Sequence, residues 1–304
     1  MSFMIDLRRL HVLRAVAHYG TVTAAARALH FTPSAASQQI RQLARDLGVD
    51  LLEPQGRGVR LTPAAESLLA HADAIQARWE EAELDLRADC GEPAGPLRMS
   101  GFPLAVSVLL APMAARLRAR HPRLDLRIQE AEVPTSFDLL FEGAIDLAIV
   151  EATVYNPPLS DARFDQQPLL DDPFDLVVPE GHPLAGREDV DLAQAAHEDW
   201  VAPVLDSPCR PHVLSACGEA GFTPNVVHHA MDWNVAAHLV AHRLGVALIP
   251  RLAQLTPHLP IARVRCTGNP HRKLLTCTRR GGRARPAIVA ALEELRELAP
   301  TAVA

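Results

Sequence analysis

Several features that would assign this chain to a particular class of protein are scarce or missing. Aromatic residues make up 4% of its 304 residues, and Lys273 is the single lysine beside 29 arginines, a bias that we attribute to a GC-rich genome. No run of about 20 apolar residues, the length needed to cross a bilayer, is present. The N-terminal stretch MSFMIDLRRL lacks the apolar core of a signal peptide. We therefore expect a cytoplasmic protein with no membrane partner.

Cysteine is scarce as well. The chain has five cysteines and no CxxC pair: Cys90, Cys209, Cys217, Cys266 and Cys277. An odd number without that spacing argues against a disulfide framework and against a structural zinc ribbon. The sequence also has no GxSxG motif and no phosphate-binding glycine loop. We expect no enzyme, no metal and no cofactor.

The charge is unevenly distributed. The net charge is −6, yet residues 1–63 carry eight arginines and four acidic residues, an excess of +4, and the remainder carries −10. With 48% hydrophobic residues and a mean hydropathy of +0.04, the chain has the composition of a globular protein of about two domains. A small basic module attached to a larger acidic one is typical of a nucleic-acid-binding end.

The N-terminal 50 residues predict three short helices. Apolar residues recur at helical spacing from Leu7 to Ala17, and Gly20 ends this pattern. Thr23 is expected to cap a second helix. Thr32 followed by Pro33 predicts the start of a third helix, which runs to about residue 47.

The third helix has an apolar stripe and a polar face. The polar face carries Ser34, Ser37, Gln38, Arg41 and Arg45. Because a helix fits the major groove, where Gln pairs with adenine and Arg with guanine, this face predicts a recognition helix. The alternative, a face that is only solvated, stays open for each residue.

A basic hairpin follows the third helix. Two β-like runs flank the turn Pro54-Gln55-Gly56-Arg57-Gly58. Arg57 at the tip would contact a phosphate or enter the minor groove. Three helices and this hairpin predict a winged helix-turn-helix.

The next segment, residues 63–88, predicts a long helix. Apolar or small residues recur at alternating intervals of three and four, the 3.5-residue period of a coiled coil. We expect two chains to pair here through Leu68, Ala72, Ile75, Trp79, Ala82 and Leu86. The alternative is a helix packed on its own domain. A hinge rich in Gly and Pro follows at residues 91–96.

From residue 97 onward, strand-like runs alternate with helical stretches. The pattern predicts an α/β domain with mostly parallel sheets. In such folds the ligand crevice lies at the carboxyl ends of the strands.

The sequence resembles the LysR-type transcriptional regulators over nearly its whole length. The N-terminal match runs from DLRRLHVL to PAAESLL, and LDLRIQEAE, GAIDLAIVEA, VPEGHPLAGRE and LGVALIP resemble the family's effector-binding domain. The resemblance implies a winged helix-turn-helix, a long dimerisation helix and two Rossmann-like α/β subdomains of periplasmic-binding-protein type. The implied bounds are 1–62 for the DNA-binding domain (helix-turn-helix 23–42), 63–90 for the linker helix, and 95–300 for the effector-binding domain, with subdomain I at 95–164 plus 270–300 and subdomain II at 165–269.

The resemblance also implies a function. The chain would be a sequence-specific regulator of transcription that binds a pseudo-palindromic operator in double-stranded DNA as a homodimer or homotetramer. A small-molecule effector would bind between the two subdomains, and an activator would also contact RNA polymerase.

Candidate site residues follow from the matching positions. For DNA binding they are Thr23, Thr32, Pro33, Ser34, Ser37, Gln38, Arg41 and Arg57. For the effector they are Ser100, Phe102, Pro103, Glu130, Glu132, Ala202, Pro203, Asp232, Trp233 and Asn234. The helix start at Asp232 would suit an anion, because backbone N–H groups and the positive end of the helix dipole meet there.

The chain departs from the family pattern at three places. Leu51-Leu52-Glu53-Pro54 replaces the usual Leu-Phe-Glu-Arg, Thr32-Pro33-Ser34 replaces Ser/Thr-Gln-Pro, and Phe102-Pro103-Leu104 stands where many members have a hydroxyl residue that binds the ligand.

The sequence has features of three other functions. Cys209 and Cys217 lie near the reactive pair of peroxide-sensing members, and Arg210 could lower the pKa of Cys209, but residues two helical turns apart are too distant for a disulfide. His238 and His242 have the spacing of a zinc protease, but Leu239 replaces the glutamate that acts as general base. A solute-binding protein that does not use DNA is disfavoured by the basic N-terminal module.

Overall fold

A computed structural model of the chain describes residues 7–55, 58–69, 71–72, 75, 93–154, 156–161 and 163–302. Contacts divide the chain into two compact units, residues 1–87 and residues 88–304. Among the described residues, no helix is both long enough and apolar enough to cross a membrane.

The first unit is built from three helices and a hairpin. These are α1 (Leu7–Tyr19), α2 (Val22–Ala28), α3 (Pro33–Leu47), β1 (Leu52–Gln55) and β2 (Gly58–Leu61). Small and aliphatic residues fill the space between the helices, namely Leu10, Leu13, Val16, Ala25, Ala26, Ala36, Ile40 and Leu43. β1 and β2 pair antiparallel, with Glu53 opposite Arg60. The predicted winged helix-turn-helix is confirmed.

Helix α3 begins and ends where the sequence predicts. The Thr32 hydroxyl accepts a hydrogen bond from the backbone N–H of Ala35 (3.2 Å), and Pro33 occupies the first turn, where no N–H partner is needed. Gly48 closes the helix at a φ of 70°, the left-handed region that glycine enters without steric cost.

Helix α2 begins earlier than predicted. Thr21, not Thr23, is its N-cap, and its hydroxyl accepts from the N–H of Ala24 (3.1 Å). The reason is that Gly20 turns the chain at a φ of 74°, so Thr21 is the first extended residue after α1. Thr23 lies exposed within α2.

The helix that follows the hairpin is described over residues 63–69. The Thr62 hydroxyl fixes its start, because it accepts from the N–H of Ala65 (3.2 Å) and donates to the carbonyl of Asp50 (2.7 Å). Of the predicted pairing residues, Leu68 is half-buried, Ala72 is buried and Ile75 is exposed. Those outside the described residues are Trp79, Ala82 and Leu86, and so is Arg57 of the hairpin.

The second unit alternates strands and helices. Its strands are β3 (Gly95–Gly101), β4 (Leu124–Glu130), β5 (Leu147–Glu151), β6 (Phe164–Pro179), β7 (Asp199–Pro203), β8 (Asn225–Ala230), β9 (Ala247–Pro250), β10 (Ile261–Arg265) and β11 (His271–Arg279). Its helices are α4 (Ala111–Arg120), preceded by a π-helical turn (Val106–Leu110), then α5 (Val133–Glu142), α6 (Arg210–Glu219), α7 (Trp233–Ala241) and α8 (Pro286–Ala302).

Two subdomains share the long strand β6. In subdomain I the strands lie in the order β4-β3-β5-β11, and β11 pairs with the first part of β6. In subdomain II the second part of β6 lies between β9 and β10. β7 pairs with β8, and a single bridge joins Trp200 of β7 to Val246, the residue just before β9. Separate hydrophobic cores lie beneath the two sheets.

The crossover strands correct two predictions. The chain leaves subdomain I between Pro173 and Phe174, not at 164/165, because residues 164–173 of β6 pair with β11. The sheets are also not mostly parallel: β6 pairs antiparallel with β9, β10 and β11, and β11 pairs antiparallel with β5. The antiparallel pairs arise because β11 runs against β5 in subdomain I, β6 runs against β9 and β10 in subdomain II, and the two crossover strands run against each other.

Candidate DNA-binding surface and effector cleft

One face of α3 is available to a partner. Thr32, Pro33, Ser34, Gln38 and Arg41 are exposed, and Ser37 is half-buried. The opposite face buries Ala36, Ile40 and Leu43. The candidate DNA-binding residues of α3 therefore lie on its solvent side.

The polar residues of α3 differ in their partners. Arg45 donates from Nη2 to Gln42 Oε1 (2.6 Å), and Gln42 donates to Asp46 Oδ1 (2.7 Å). Among the described residues, neither Gln38 nor Arg41 makes a side-chain hydrogen bond or ion pair. Within the described part of the chain their donor groups have no acceptor, whereas the Arg45 guanidinium is held by its own helix.

In the second unit, the carboxyl ends of β3, β4 and β5 form one edge of the subdomain I sheet. The strands are parallel, with Gly101 paired to Glu130 and to Ile149. The residues that follow them are therefore brought close together. This edge is where the α/β pattern predicts the ligand crevice.

The first predicted group at this edge is largely buried. Ser100 is fully buried, and its hydroxyl donates to Ser136 Oγ (3.1 Å), which in turn donates to the carbonyl of Ala131 (3.3 Å). Phe102 is 7% exposed and presents its ring to a guanidinium, whereas Pro103 is exposed. Ser100 thus serves the interior of subdomain I, and Phe102 lines the cleft.

Two carboxylates stand at the end of β4. Glu130 and Glu132 are exposed, and within the described part of the chain their carboxylates form no hydrogen bond or ion pair. Partial burial of its carboxyl, followed by the charges of Glu151 and Glu130, raises the pKa of Glu132. This rim of the cleft is negatively charged.

In subdomain II, Ala202 and Pro203 are buried at the end of β7. The Pro203 carbonyl accepts from Arg210 Nη1 (2.6 Å). Trp233 packs edge-on against Phe174, with ring centroids 6.4 Å apart.

The predicted anion site at the start of α7 is not free. Asp232 caps the helix itself, because its Oδ1 accepts from the N–H groups of Asn234 (2.8 Å) and Val235 (3.1 Å). The Asn234 side chain accepts from the N–H of Thr256 (2.7 Å). An anion at this helix start would therefore have to displace the Asp232 carboxylate from these two donors, and its binding there stays a prediction.

A charged cluster that sequence reasoning missed lies where the two subdomains meet. Arg272 of β11 is 1% exposed. Its Nη1 donates to Glu151 Oε2 (3.0 Å), its Nε donates to Asp172 Oδ2 (3.0 Å), and its Cζ lies 5.0 Å from the centre of the Phe102 ring. Asp172 also accepts from the N–H of Leu252 (2.9 Å). A buried guanidinium is thus paired with two buried carboxylates, as burial of charge requires.

Subdomain II contributes two further members. The Cys209 thiol, at the start of α6, donates to Glu151 Oε2 (3.2 Å) and lies 3.3 Å from Arg272 Nη1. His212 Nε2 lies 3.0 Å from Glu151 Oε1, and the imidazole stacks on Phe174. Glu151 therefore links the two subdomains.

Charge and burial act in opposite directions on these groups. Burial would raise the pKa of Glu151, but His212, Arg272 and the Cys209 thiol hold it below its usual value. Burial dominates for Asp172, whose pKa is raised. Burial likewise raises the pKa of Cys209 far above that of a free thiol, and the guanidinium beside its sulfur belongs to Arg272, not to Arg210 as predicted.

The sequence analysis singled out none of Glu151, Asp172, His212 and Arg272. Asp172 and Arg272 lie opposite each other on the crossover strands, which the sequence pattern did not predict. A usable signal existed for Glu151, because it ends the apolar run DLAIVE and so stands at the carboxyl end of a strand. His238 and His242 are exposed, and the described residues contain no group of three potential metal ligands.

A winged helix-turn-helix joined to a two-subdomain unit with a polar cleft defines a ligand-responsive, DNA-binding regulator. Two family models match the chain: "Bacterial regulatory helix-turn-helix protein, lysR family" over residues 7–66, and "LysR substrate binding domain" over residues 91–300. The chain belongs to the LysR family of bacterial transcriptional regulators. Its function is sequence-specific regulation of transcription, modulated through an effector-binding domain.

Relatives and solved structures agree with this family. The chain is 33% identical over 259 residues to a "Probable hydrogen peroxide-inducible genes activator" from Mycobacterium avium, covering 83% of this chain and 80% of the relative. It is 32% identical over 248 residues to the Hca operon transcriptional activator HcaR of Escherichia coli K12, covering 81% and 82%. A mutant of OxyR from Corynebacterium glutamicum is similar in structure, with a TM-score of 0.63 and 25% identity over 100% of this chain and 95% of that one.

Proposed function

We propose that this regulator binds a pseudo-palindromic operator as a homodimer, or as a homotetramer of two such dimers, paired through the helix over residues 63–88. Two copies of α3 would then enter successive major grooves, with Arg57 of each hairpin on the backbone or in the minor groove. The proposed domain bounds are 1–62, 63–90 and 95–300. The protein would act in the cytoplasm, and as an activator it would also contact RNA polymerase.

The proposal that α3 recognises bases rests on a difference between its polar side chains. Gln38 and Arg41 lie one helical turn apart, exposed and without an internal partner among the described residues, whereas Arg45 is held by Gln42. Free Gln and Arg side chains are those that pair bidentately with adenine and guanine.

The test uses an operator selected from a random DNA pool with the wild-type protein. Gln38→Ala and Arg41→Ala are each expected to cost about 1–3 kcal/mol of binding free energy on this operator. The control Arg45→Ala, an arginine of the same helix, is expected to cost less because its guanidinium is already engaged. Fluorescence anisotropy at fixed salt measures all three.

Random duplex DNA of the same length separates two kinds of contact. An equal loss on random DNA would show that Gln38 and Arg41 touch only phosphates, because such contacts carry no sequence information. No loss on either DNA would contradict the assignment of α3 as the recognition helix.

The proposed effector site lies between the subdomains, around Phe102 and Glu132 on one side and the start of α6 on the other. A small molecule that contacts both sides would stabilise one arrangement of the subdomains over another. A metabolite panel screened by thermal shift tests this site, since a ligand at about 100 times its Kd adds about 2.7 kcal/mol to stability.

A second candidate is a response to peroxide. It is supported by the relatives named as peroxide-inducible activators and by the place of Cys209 in the cleft beside Arg272. The hydrogen bond from the thiol to Glu151 opposes it, because the nucleophile toward peroxide is the thiolate.

A further inference from the structure

The Glu151 carboxylate belongs to subdomain I but is bound largely by groups from outside its own strand. Oε2 accepts from the Cys209 thiol (3.2 Å) and from Arg272 Nη1 (3.0 Å), and Oε1 lies 3.0 Å from His212 Nε2. Glu151 is 2% exposed. Oε2 is therefore hydrogen-bonded by both subdomains, whereas Oε1 lies beside His212 of subdomain II and forms no hydrogen bond among the described residues.

The groups around this carboxylate are those that recognise a free carboxylate ligand. A guanidinium supplies charge and directed donors, an imidazole supplies a further N–H donor, and a thiol supplies a weak one. Arg272 is fixed in its position by Asp172 on one side and by the Phe102 ring on its face. The site is preorganised, because its key donor is held before any ligand arrives.

We propose that the cleft centre is a carboxylate-binding site and that Glu151 occupies it as an internal ligand, closing subdomain I onto subdomain II. The inference rests on the proposed function in that it concerns the same cleft. An external carboxylate would reach Arg272 and His212 only by displacing Glu151. Closure of the effector-binding domain therefore does not depend on a small carboxylate.

Chemical rescue tests the proposal. Glu151→Ala removes the internal carboxylate and leaves space beside Arg272, so its melting temperature should fall by several degrees. Sodium formate or acetate should raise it again in a saturable way, and sodium chloride at the same ionic strength should not. The wild-type protein should show no such response to acetate, because its own carboxylate occupies the site.

A matched control removes a carboxylate from the same edge of the sheet. The Glu132 carboxylate forms no hydrogen bond or ion pair among the described residues, so Glu132→Ala should lose little stability and gain nothing from acetate. Acetate that fails to stabilise Glu151→Ala, or that stabilises the wild type and Glu132→Ala equally, would overturn the proposal.

Glu151→Gln covers the case in which the alanine variant does not fold. The amide keeps the size of the side chain but loses the charge that pairs with Arg272, so amide hydrogen exchange in α6 should be several-fold faster than in the wild type. Unchanged exchange there would contradict the proposal. These readouts involve no DNA, so their failure is separate from a failure of the α3 variants on the operator.

Discussion

Two buried carboxylates at opposite ends of β5 show how similar local chemistry serves different purposes. Asp146 precedes the strand and Glu151 ends it. Each is 2% exposed, and each has a pKa held below its usual value although burial by itself would raise it. The two residues differ in where their partners come from.

The partners of Asp146 all lie in subdomain I. Its Oδ2 accepts from the N–H (2.9 Å) and Nε (3.1 Å) of Arg98 in β3, and its Oδ1 accepts from Nη1 of Arg285 before α8 (2.6 Å). Arg279 Nη2 in β11 lies 3.9 Å away. Asp146 therefore ties together elements of one folding unit, and its role is stability.

The partners of Glu151 come from both subdomains. Arg272 is on the neighbouring strand, but Cys209 and His212 belong to α6 of subdomain II. A carboxylate bound within one subdomain holds that subdomain together, whereas one bound across the cleft influences how the two subdomains are arranged. Burial and charge alone would not have distinguished the two residues.

The largest effect is expected from Asp146→Ala. Removing one partner of a buried charge cluster should cost about 3 kcal/mol, the lower end of the usual range because the arginines left behind are partly exposed. Urea unfolding measures this loss. The control Asp125→Ala breaks an exposed ion pair with Arg127 and should cost less than about 1 kcal/mol. Equal losses for the two variants would contradict a structural role for Asp146.

A smaller effect is expected for the dependence of stability on pH when Asp146 or Glu151 is replaced. A group whose folded pKa is lowered stabilises the protein above its unfolded pKa, and this stabilisation is lost as the pH falls through the folded pKa. Asp146 and Glu151 both behave in this way. The wild type should thus lose stability below about pH 4, and Asp146→Asn and Glu151→Gln should lose less over that interval.

The cleft also contains two carboxyl groups whose pKa values shift in the opposite direction from those of Asp146 and Glu151. Asp172 and Glu132 have raised pKa values, so the protein gains stability as each takes up its proton. The charge of Glu151 contributes to both raised pKa values, so Glu151→Gln removes part of this gain together with its own loss, whereas Asp146→Asn leaves the gain in place. The fall in melting temperature with decreasing pH should therefore become shallower in Asp146→Asn than in Glu151→Gln. The reverse order would contradict this comparison.

The sequence predicted the DNA-binding unit in more detail than the cleft. Thr32, Pro33 and Gly48 act on residues within one helical turn, so their meaning is readable locally. The contacts of Arg272 join residues 100 and 121 positions apart, and no local period reports such a separation. Asp172 and Arg272 also lie on antiparallel strands, whereas the alternation of strands and helices predicted mostly parallel ones. The cleft edge was predicted from the ends of β3 and β4, but its charged centre was not.

The smallest effect is expected at Cys209. Variants there test whether Glu151 only accepts a hydrogen bond from the Cys209 thiol or removes its proton. Its thiol proton is held by Glu151, and burial raises its pKa. Cys217 stands at the far end of α6, about 12 Å along the helix axis, well beyond the reach of a disulfide. Treatment with peroxide should therefore produce no Cys209–Cys217 linkage in mass spectra and no change in melting temperature or operator affinity.

Cys209→Ser keeps a hydrogen-bond donor to Glu151 and should change stability by less than about 1 kcal/mol. A linkage that forms in the wild type but not in Glu151→Gln would mean that Glu151 accepts the thiol proton to generate a reactive thiolate, and the peroxide response would then be the better account of the cleft.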